Sequence, residues 1–554
     1  MDKKNGNILW RDAIEKEMKN VMPAFKFTDN IDGKETVGLQ KIKCHMIFDV
    51  KMDFTRKARF VAGGHMTKPP ASITYSSVVA RDSVRIAFML AALHDVDMLA
   101  ADVGNAYLNA PCREKVYCIA GPEFGSYEGK TAIIVRALYG LKSSGAAWRA
   151  HLAQTMHDIG FTPSKADPDM WMRPAVKPDG YEYYEYVLIY VDDILCCSHR
   201  AAEIMETLSD LYRLKEDPKT KKVYGKPTRY LGAKISEYTH EDDTKKYWSI
   251  SAEKYVKEAV KNVEMELNKI GMKFNSKVQG PLASGYKPEL DVMALLDAKR
   301  TNYYQNLIGV LRWAVELGRV DTNYHVAIMS RYLSAPREGH LEQVFCIFAY
   351  LKRHPVYKQV MDSTKVTWAD NKFQERDWSD FYAEAKEELP PNMPEPRGKS
   401  VQINCFVDAD HAGDVVTRRS HTGILIYVNR APVIWYSKRQ NTVETSTFRS
   451  EFIAMRIATE LIEGLRYKLR MLGVPLDGPA NVFGDNQSVI TNASVPESPL
   501  KKKHVAICYH RVREACACGI MRIAKEDSET NLADILTKNL PIPRHKSLRE
   551  MILI

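Results

Sequence analysis

At 554 residues the chain exceeds one compact core and suggests three or four domains, and its 45% hydrophobic and 10% aromatic content excludes a disordered or fibrous polymer. A net charge of +10, from 79 basic and 69 acidic residues, favours a polyanionic partner without establishing one. No apolar stretch approaches the length of a membrane span, and the start Met1-Asp-Lys-Lys-Asn-Gly-Asn7 leads into no apolar signal core, so an intracellular protein without membrane contact is expected.

Taken in order, residues 10–18 carry apolar side chains at helical spacing, and so do Val84, Ile86, Ala87, Leu90 and Leu93. Residues 98–103 form a short buried strand ending near Asp102. The run from Tyr186 to Cys197 is apolar except for Asp192-Asp193, and its Val, Ile and Tyr content predicts a tight β-hairpin. Residues 246–360 are largely helical, with helices over 251–263, 303–317 and 340–353. Proline-rich, acidic sequence at 370–400 predicts a linker, because proline interrupts both helices and sheets. Three strands follow near 401–407, 423–429 and 432–437. A long amphipathic helix then runs through Phe448, Phe452, Met455, Ile462, Leu465 and Leu469, and strands near 481–484 and 519–524 complete a mixed α/β plan. The ten cysteines, including the adjacent Cys196-Cys197 and the pair Cys516 and Cys518, show no zinc-chelate spacing and read as reduced thiols.

Two groups of acids stand out. Ionised carboxylates in apolar surroundings are costly unless paired or bound to a cation. Asp192-Asp193 alone fits a solvated turn, but with Asp102 it supplies three carboxylates, the set that two magnesium ions need for in-line phosphoryl transfer. Downstream, Asp408 ends a strand, Glu451 lies on the long helix, Asp485 follows the fourth strand, and Asp534 opens the last helix. An acid at a helix start is often only a cap, yet four in this order would converge on a second two-metal centre able to activate water against a phosphodiester.

Tyr190-Val-Asp-Asp193 and Asp102-Val-Gly-Asn-Ala-Tyr107 resemble the metal-binding motifs of reverse transcriptases. Trp10-Arg-Asp-Ala-Ile, Lys57-Ala-Arg-Phe-Val-Ala-Gly-Gly, Leu138-Tyr-Gly-Leu-Lys-Ser-Ser, Ala166-Asp-Pro-Asp-Met and Tyr230-Leu-Gly232 resemble, more narrowly, the copia-type retrotransposon Pol polyproteins. The similarity runs from about residue 8 to residue 540. The downstream acids resemble the Asp-Glu-Asp-Asp set of the ribonuclease H fold, with Asp-Ala-Asp, Asp-Asn-Gln-Ser and Ala-Asp-Ile-Leu-Thr-Lys present as in copia-type versions.

The resemblance implies a right-hand polymerase, α+β, with fingers and palm over 1–245. A helical thumb and connection would occupy 246–369, the linker 370–400, and a mixed-sheet ribonuclease H-like domain 401–545. It implies RNA-directed DNA polymerase and ribonuclease H activities, with Mg2+, or Mn2+ in its place, held two per centre by Asp102, Asp192 and Asp193 and by Asp408, Glu451, Asp485 and Asp534. Tyr107 would stack beneath the incoming sugar and exclude a ribose 2′ hydroxyl, Lys57 and Arg59 would contact the triphosphate, and Tyr190 would line the substrate site. Tyr230-Leu-Gly232 resembles the turn holding the primer terminus. Lys503 and His504 would contact hybrid, although a solvated basic helix start explains the lysines equally well. The implied partners are an RNA template, a DNA primer, RNA–DNA hybrid, deoxynucleoside triphosphates, and integrase or other polyprotein products. The setting would be cytoplasmic, within virus-like particles, with later nuclear access. A domesticated relative that binds nucleic acid with little catalysis is the alternative, and activity on DNA templates is also compatible. Three positions depart from the pattern. Ser143 replaces a glutamine near the nucleotide, Arg449-Ser-Glu451 replaces Glu-Ala-Glu, and His411 replaces an aromatic, while Asp410 is expected to be structural.

Overall fold

The apolar run around Tyr190 folds back on itself as its composition predicts: Glu182–Tyr190 pairs antiparallel with Asp193–Ser198, Tyr190 lying opposite Asp193. In this computed structural model, which describes residues 2–29, 33–50, 55–68, 70, 74–218, 220–241, 243–369, 371–499 and 506–554, the hairpin belongs to a five-stranded sheet. Asp97–Asp102 flanks it on one side, and Met170–Val176 with Thr162–Pro163 on the other. The helices Ser144–Asp158 and Ala201–Leu211 bury Trp148, Leu152, Met156, Met205 and Leu208 in the core with Val187, Ile194 and Cys196.

The chain divides into two compact units. The first comprises residues 1–79, 97–173 and 185–226. Besides the carboxylate-bearing sheet it holds a four-stranded sheet, ordered Phe25–Thr28, Thr131–Ile134, Val116–Ile119 and Gln40–Lys41, and a ribbon of Cys44–Val50 with Arg56–Ala62. The helix Leu9–Val21 is the one expected at residues 10–18.

The second unit comprises residues 80–96, 174–184 and 227–554. Tyr247–Ser251 is a strand where mainly helical structure was expected. Its five residues are all buried, so its sequence shows no half-exposed alternation. It pairs with Ala233–Tyr238 and Lys358–Val360, and the helices Glu253–Lys269, Ala298–Glu316 and Glu338–Arg353 follow the expected helical stretches. The C-terminal sheet is ordered Ala431–Arg439, His421–Val428, Ile403–Asp410, Ala480–Gly484, Met521–Lys525. The first three strands are antiparallel and the last two run parallel to the third. The helix Thr447–Met471 buries Phe452, Met455, Ile462, Leu465 and Leu469, each worth about 1.5–3 kcal/mol. This is the mixed α/β class expected from the strand and helix order.

The proline-rich stretch is docked on this unit. Glu387 accepts from Arg466 Nε (2.8 Å) and Nη2 (2.6 Å) and also pairs with Arg470. A second polar knot joins the connecting helices to the C-terminal helix Ile542–Ile552. Arg319 and Asp321, 0% and 1% exposed, form a two-pronged pair at 2.9 and 2.7 Å. The Tyr350 hydroxyl donates to Asp321 (2.8 Å), and Arg549 donates to that hydroxyl (3.1 Å). Among the described residues no helix is long and apolar enough to cross a membrane.

Burial alone would raise the Asp321 carboxyl, but Arg319 outweighs it and holds the pKa at about 2. Because the folded value is depressed, the stabilisation is present above the unfolded carboxylate range near ~4 and fades as pH falls toward 2. Asp321→Asn strands the Arg319 charge and should cost about 3–5 kcal/mol, read as a lower urea midpoint at pH 7, with the gap to the native chain closing in acid.

Candidate active sites

In the first unit Asp193 sits directly across from Asp102, and the Val103 N–H donates to the Asp192 carbonyl at 2.7 Å. The hairpin tip is Val191-Asp192. Val191 has φ +59°, a left-handed conformation that costs a β-branched residue about 1–3 kcal/mol. Its surroundings hold it there. Trp148, 2% exposed, donates from Nε1 to the Val191 carbonyl at 2.7 Å, and the Tyr212 ring meets Trp148 edge-on at 5.3 Å.

The segment after Tyr212 runs along the outer edge of Asp97–Asp102, where the Lys215 N–H donates to the Asp102 carbonyl at 2.8 Å. Its ammonium thereby reaches Asp102 Oδ1 (2.5 Å) and Asp192 Oδ2 (3.4 Å). Burial raises the Asp102 pKa, with Lys215 opposing and Asp192 adding to the shift. Burial works against the Lys215 charge too, yet Asp102 and Asp192 outweigh it and raise that pKa. Lys215 is thus the counter-ion of two carboxylates that would otherwise repel each other.

Asn105, at φ +52°, opens the short turn Ala106–Asn109 that presents Tyr107. The Tyr107 ring packs against Tyr139 at 4.9 Å, and the Arg59 guanidinium lies 5.7 Å from the Tyr139 centroid. Burial and then the Asp192 charge raise the Tyr107 pKa, while Arg59 lowers it. Lys57 and Arg59 share one face of Arg56–Ala62, because Ala58, Phe60 and Ala62 fill the core from the other. The Lys57 charge also reaches Asp102. Tyr190 is half-buried at the end of its strand. Ser143 is accounted for differently. It is 1% exposed, and both its N–H (2.9 Å) and its hydroxyl (2.8 Å) donate to Glu114 Oε1, so it anchors the start of Ser144–Asp158.

In the second unit the parallel register of Phe406 with Phe483 carries Asp408 and Asp485 to the same end of adjacent strands. Glu451 joins them from the long helix, and the ligating oxygens of Asp408, Glu451 and Asp485 all lie within 4.8 Å of one another. Asp534 lies outside this trio. It sits in the short turn Leu532–Leu536 rather than opening the last helix, which begins only at Ile542 after Pro541. It joins the cluster through Lys538, whose Nζ is 2.9 Å from Asp534 Oδ1 and 3.2 Å from Asp408 Oδ2, while Arg544 reaches Asp534 Oδ2 at 3.3 Å. Gly423, opposite Asp408, admits this turn: a Cβ there would stand 2.7 Å from the Ala533 carbonyl oxygen.

Burial, reinforced by Asp534 and Asp485 and opposed by Lys538, pushes the Asp408 pKa up to about 7. Burial, then Asp408 and Asp485, lift Glu451 well above the carboxylate range. Three hard oxygen donors, two of them buried and mutually repelling, suit a divalent cation such as Mg2+ or Mn2+.

Residues 23–272 match the family described as reverse transcriptase (RNA-dependent DNA polymerase). That region holds the hairpin and the three carboxylates gathered at its tip. The chain is 26% identical over 556 residues to the retrovirus-related Pol polyprotein from transposon TNT 1-94 of Nicotiana tabacum, covering 98% of this chain and 37% of the relative. It is 24% identical over 491 residues to that from transposon RE1 of Arabidopsis thaliana, covering 87% and 29%. The chain thus spans about a third of the length of these relatives. Among solved structures it is similar to a foamy viral protease-reverse transcriptase in complex with double-stranded DNA, with a TM-score of 0.47, 12% identity and coverage of 94% of this chain and 70% of that one. It is also similar to the N-terminal RNase H domain of rv2228c from Mycobacterium tuberculosis, with a TM-score of 0.20, 13% identity and coverage of 27% and 98%.

Lys503 and His504 lie outside the described residues. Beyond them Arg511 pairs with Glu463, and Arg513, 2% exposed, donates to the carbonyls of Asn492, Val495 and Pro496, so neither is a loose basic side chain. Three residues of the two carboxylate centres escaped the sequence reading: Lys215, Lys538 and Trp148. Lys538 stood inside the quoted Ala-Asp-Ile-Leu-Thr-Lys fragment, four residues after Asp534. The other two carried no local signal.

Trp148→Phe keeps the ring and removes only the hydrogen bond to Val191. DNA synthesis should fall about tenfold through turnover, as expected for the removal of one bond to a buried carbonyl. The thermal midpoint should stay close to native and the nucleotide KM little changed, measured by steady-state primer extension.

Proposed function

We propose that this chain copies RNA into DNA and degrades the RNA strand of the resulting hybrid. The observation that carries the reading is a carboxylate cluster in each unit, set at strand ends and closed by a lysine. Asp102, Asp192 and Asp193 would hold divalent cations for synthesis, and Asp408, Glu451, Asp485 and Asp534 would do so for RNA cleavage. Two Mg2+ or Mn2+ ions per centre would supply an activated oxygen nucleophile and a neutralised leaving oxygen.

The chain's own side chains set up the rest. Lys215 pairs with Asp102 and Asp192, and Trp148 fixes the tip that carries Asp192. Tyr107, packed on Tyr139, is placed to reject a ribose 2′ hydroxyl on steric grounds, and Arg59 and Lys57 supply positive charge for a triphosphate. Lys538 and Arg544 orient Asp534. The substrates would be an RNA template, a DNA primer, deoxynucleoside triphosphates and RNA–DNA hybrid. The Pol polyprotein names of the relatives support other polyprotein products as partners, within cytoplasmic particles.

The test is a primer-extension and hybrid-cleavage assay with Mg2+. Asp192→Asn should abolish extension and leave cleavage near native, and Asp485→Asn should do the reverse. Each loss should exceed about 100-fold, since even partners that only support a metal ligand contribute 10–100-fold. Full extension by Asp192→Asn would overturn the assignment.

A further inference from the structure

In the first unit, Glu114 lies between the turn that presents Tyr107 and the strand Val116–Ile119, and is 9% exposed. Its Oε1 accepts from the N–H (2.9 Å) and the hydroxyl (2.8 Å) of Ser143, the residue that leads from Tyr139 into the helix Ser144–Asp158. The Thr67 hydroxyl shares its hydrogen between Glu114 Oε2 (3.2 Å) and the Gly64 carbonyl (2.8 Å). Thr67 follows the short turn Gly64–Met66 at the end of Arg56–Ala62, the strand of Lys57 and Arg59. Thr67 and Ser143 are buried as well. One side chain therefore fastens together the segments of Tyr107, of Tyr139 and of Arg59.

The joint is tight because the backbone is bare where the segments cross. A Cβ at Gly64 would collide with the Gly140 carbonyl oxygen, and one at Gly140 with the carbonyl oxygen of Ala62. The Ala62 N–H donates to the Tyr139 carbonyl at 2.8 Å, and the Lys142 ammonium donates to the Thr67 carbonyl at 2.6 Å. From the Tyr107 side the Ala110 carbonyl accepts from the Ala137 N–H at 3.0 Å. Main-chain bonds thus bring each segment to the Tyr139 turn, and Glu114 is the side chain that ties the other two through it. A buried acid oxygen that loses such a donor is left without water to replace it, so the knot resists loosening. None of these bonds touches Tyr107 or Arg59 directly.

We infer that Glu114 is a positioning residue for the nucleotide, one that sets the gap between the Tyr107–Tyr139 pair and the strand of Lys57 and Arg59. The inference rests on the function proposed above. A nucleotide must fit its sugar against Tyr107 while its phosphates meet Arg59 and Lys57, so it measures the distance between the two walls. A site discriminates only while its walls hold to within about 0.5 Å, and hydrogen bonds behind the walls set that tolerance. A looser joint removes no group that touches the substrate. It lets Tyr107 recede, which weakens both the grip on the nucleotide and the clash with a ribose 2′ hydroxyl. The three acids keep supports of their own, Lys215 and the Trp148 bond to Val191, so the chemical step is the last to suffer.

The test is single-nucleotide primer extension by the full chain and by Glu114→Gln, with deoxynucleoside and with ribonucleoside triphosphates. The amide keeps an acceptor for Ser143 and turns a donor toward Thr67, so the link to the Arg56–Ala62 strand is the one that breaks. The deoxynucleotide KM should rise about tenfold and the preference for deoxynucleotide over ribonucleotide should fall about tenfold, with kcat within about twofold of native. Thr67→Val breaks the same link from the other side and should shift both quantities in the same direction. The double variant should add little to either single change, because the two residues share one interaction. Hybrid cleavage and the unfolding midpoint are measured on the same samples, and cleavage should stay native. Thr67→Val carries the test alone should Glu114→Gln fail to fold. Unchanged KM and sugar preference in the variants would overturn the inference. So would a kcat that falls in step with the unfolding midpoint at native sugar preference, the mark of a merely structural side chain. If the native chain extends no primer, the proposed function fails and this inference with it.

Discussion

Gathering like charges where water is scarce is expensive, and both centres of this protein are built around that expense. Three acids at the hairpin are brought together by strand register and four in the C-terminal region by strand register, a helix and a turn, and in each case one lysine bridges two of them. The bridges differ in completeness. Lys215 touches two of the three acids of a partly exposed site, whereas Lys538 touches two of four and leaves Glu451 and Asp485 to share the oxygen trio with Asp408. Burial and mutual repulsion therefore push Asp408 and Glu451 above the usual carboxylate range. A divalent cation would relieve this repulsion, a role that Lys215 and Lys538 share in part.

Precise placement of the acids depends on interactions remote in sequence. The strained Val191 is held by Trp148, 43 residues earlier. Asp534 meets Asp408 because Gly423 leaves the sheet bare at that point. The Arg319–Asp321 knot and the docked Glu387 keep the connecting helices, the proline-rich stretch and the C-terminal helix in one unit with the C-terminal sheet.

Much of this was legible in the sequence wherever a local rule governed. The hairpin, the long helix and the five strands of the C-terminal sheet follow from composition and periodicity, and the acids at their ends from the cost of burying charge. Tyr247–Ser251 was missed because a strand buried on both faces shows no alternation. Asp534 was placed on a helix because a turn capped by Asn531 resembles a helix start, and only the following Pro541 delays the helix. Ser143 stands where a glutamine near the nucleotide was expected, yet its hydroxyl is committed to Glu114, 29 residues away. Lys215 and Trp148 act across the fold, and no spacing in the chain announces them.

The carboxylate clusters as cation sites are tested most directly by titrating the native chain with Mg2+ at pH 7 in buffers of different ionisation enthalpy. With Asp408 pushed up to about 7 and Glu451 well above its ordinary value, binding should release protons, and Asp408→Asn should reduce both the affinity and the release. Mg2+ binding without proton release, or binding undiminished in Asp408→Asn, would contradict the assignment of these buried acids to a metal centre.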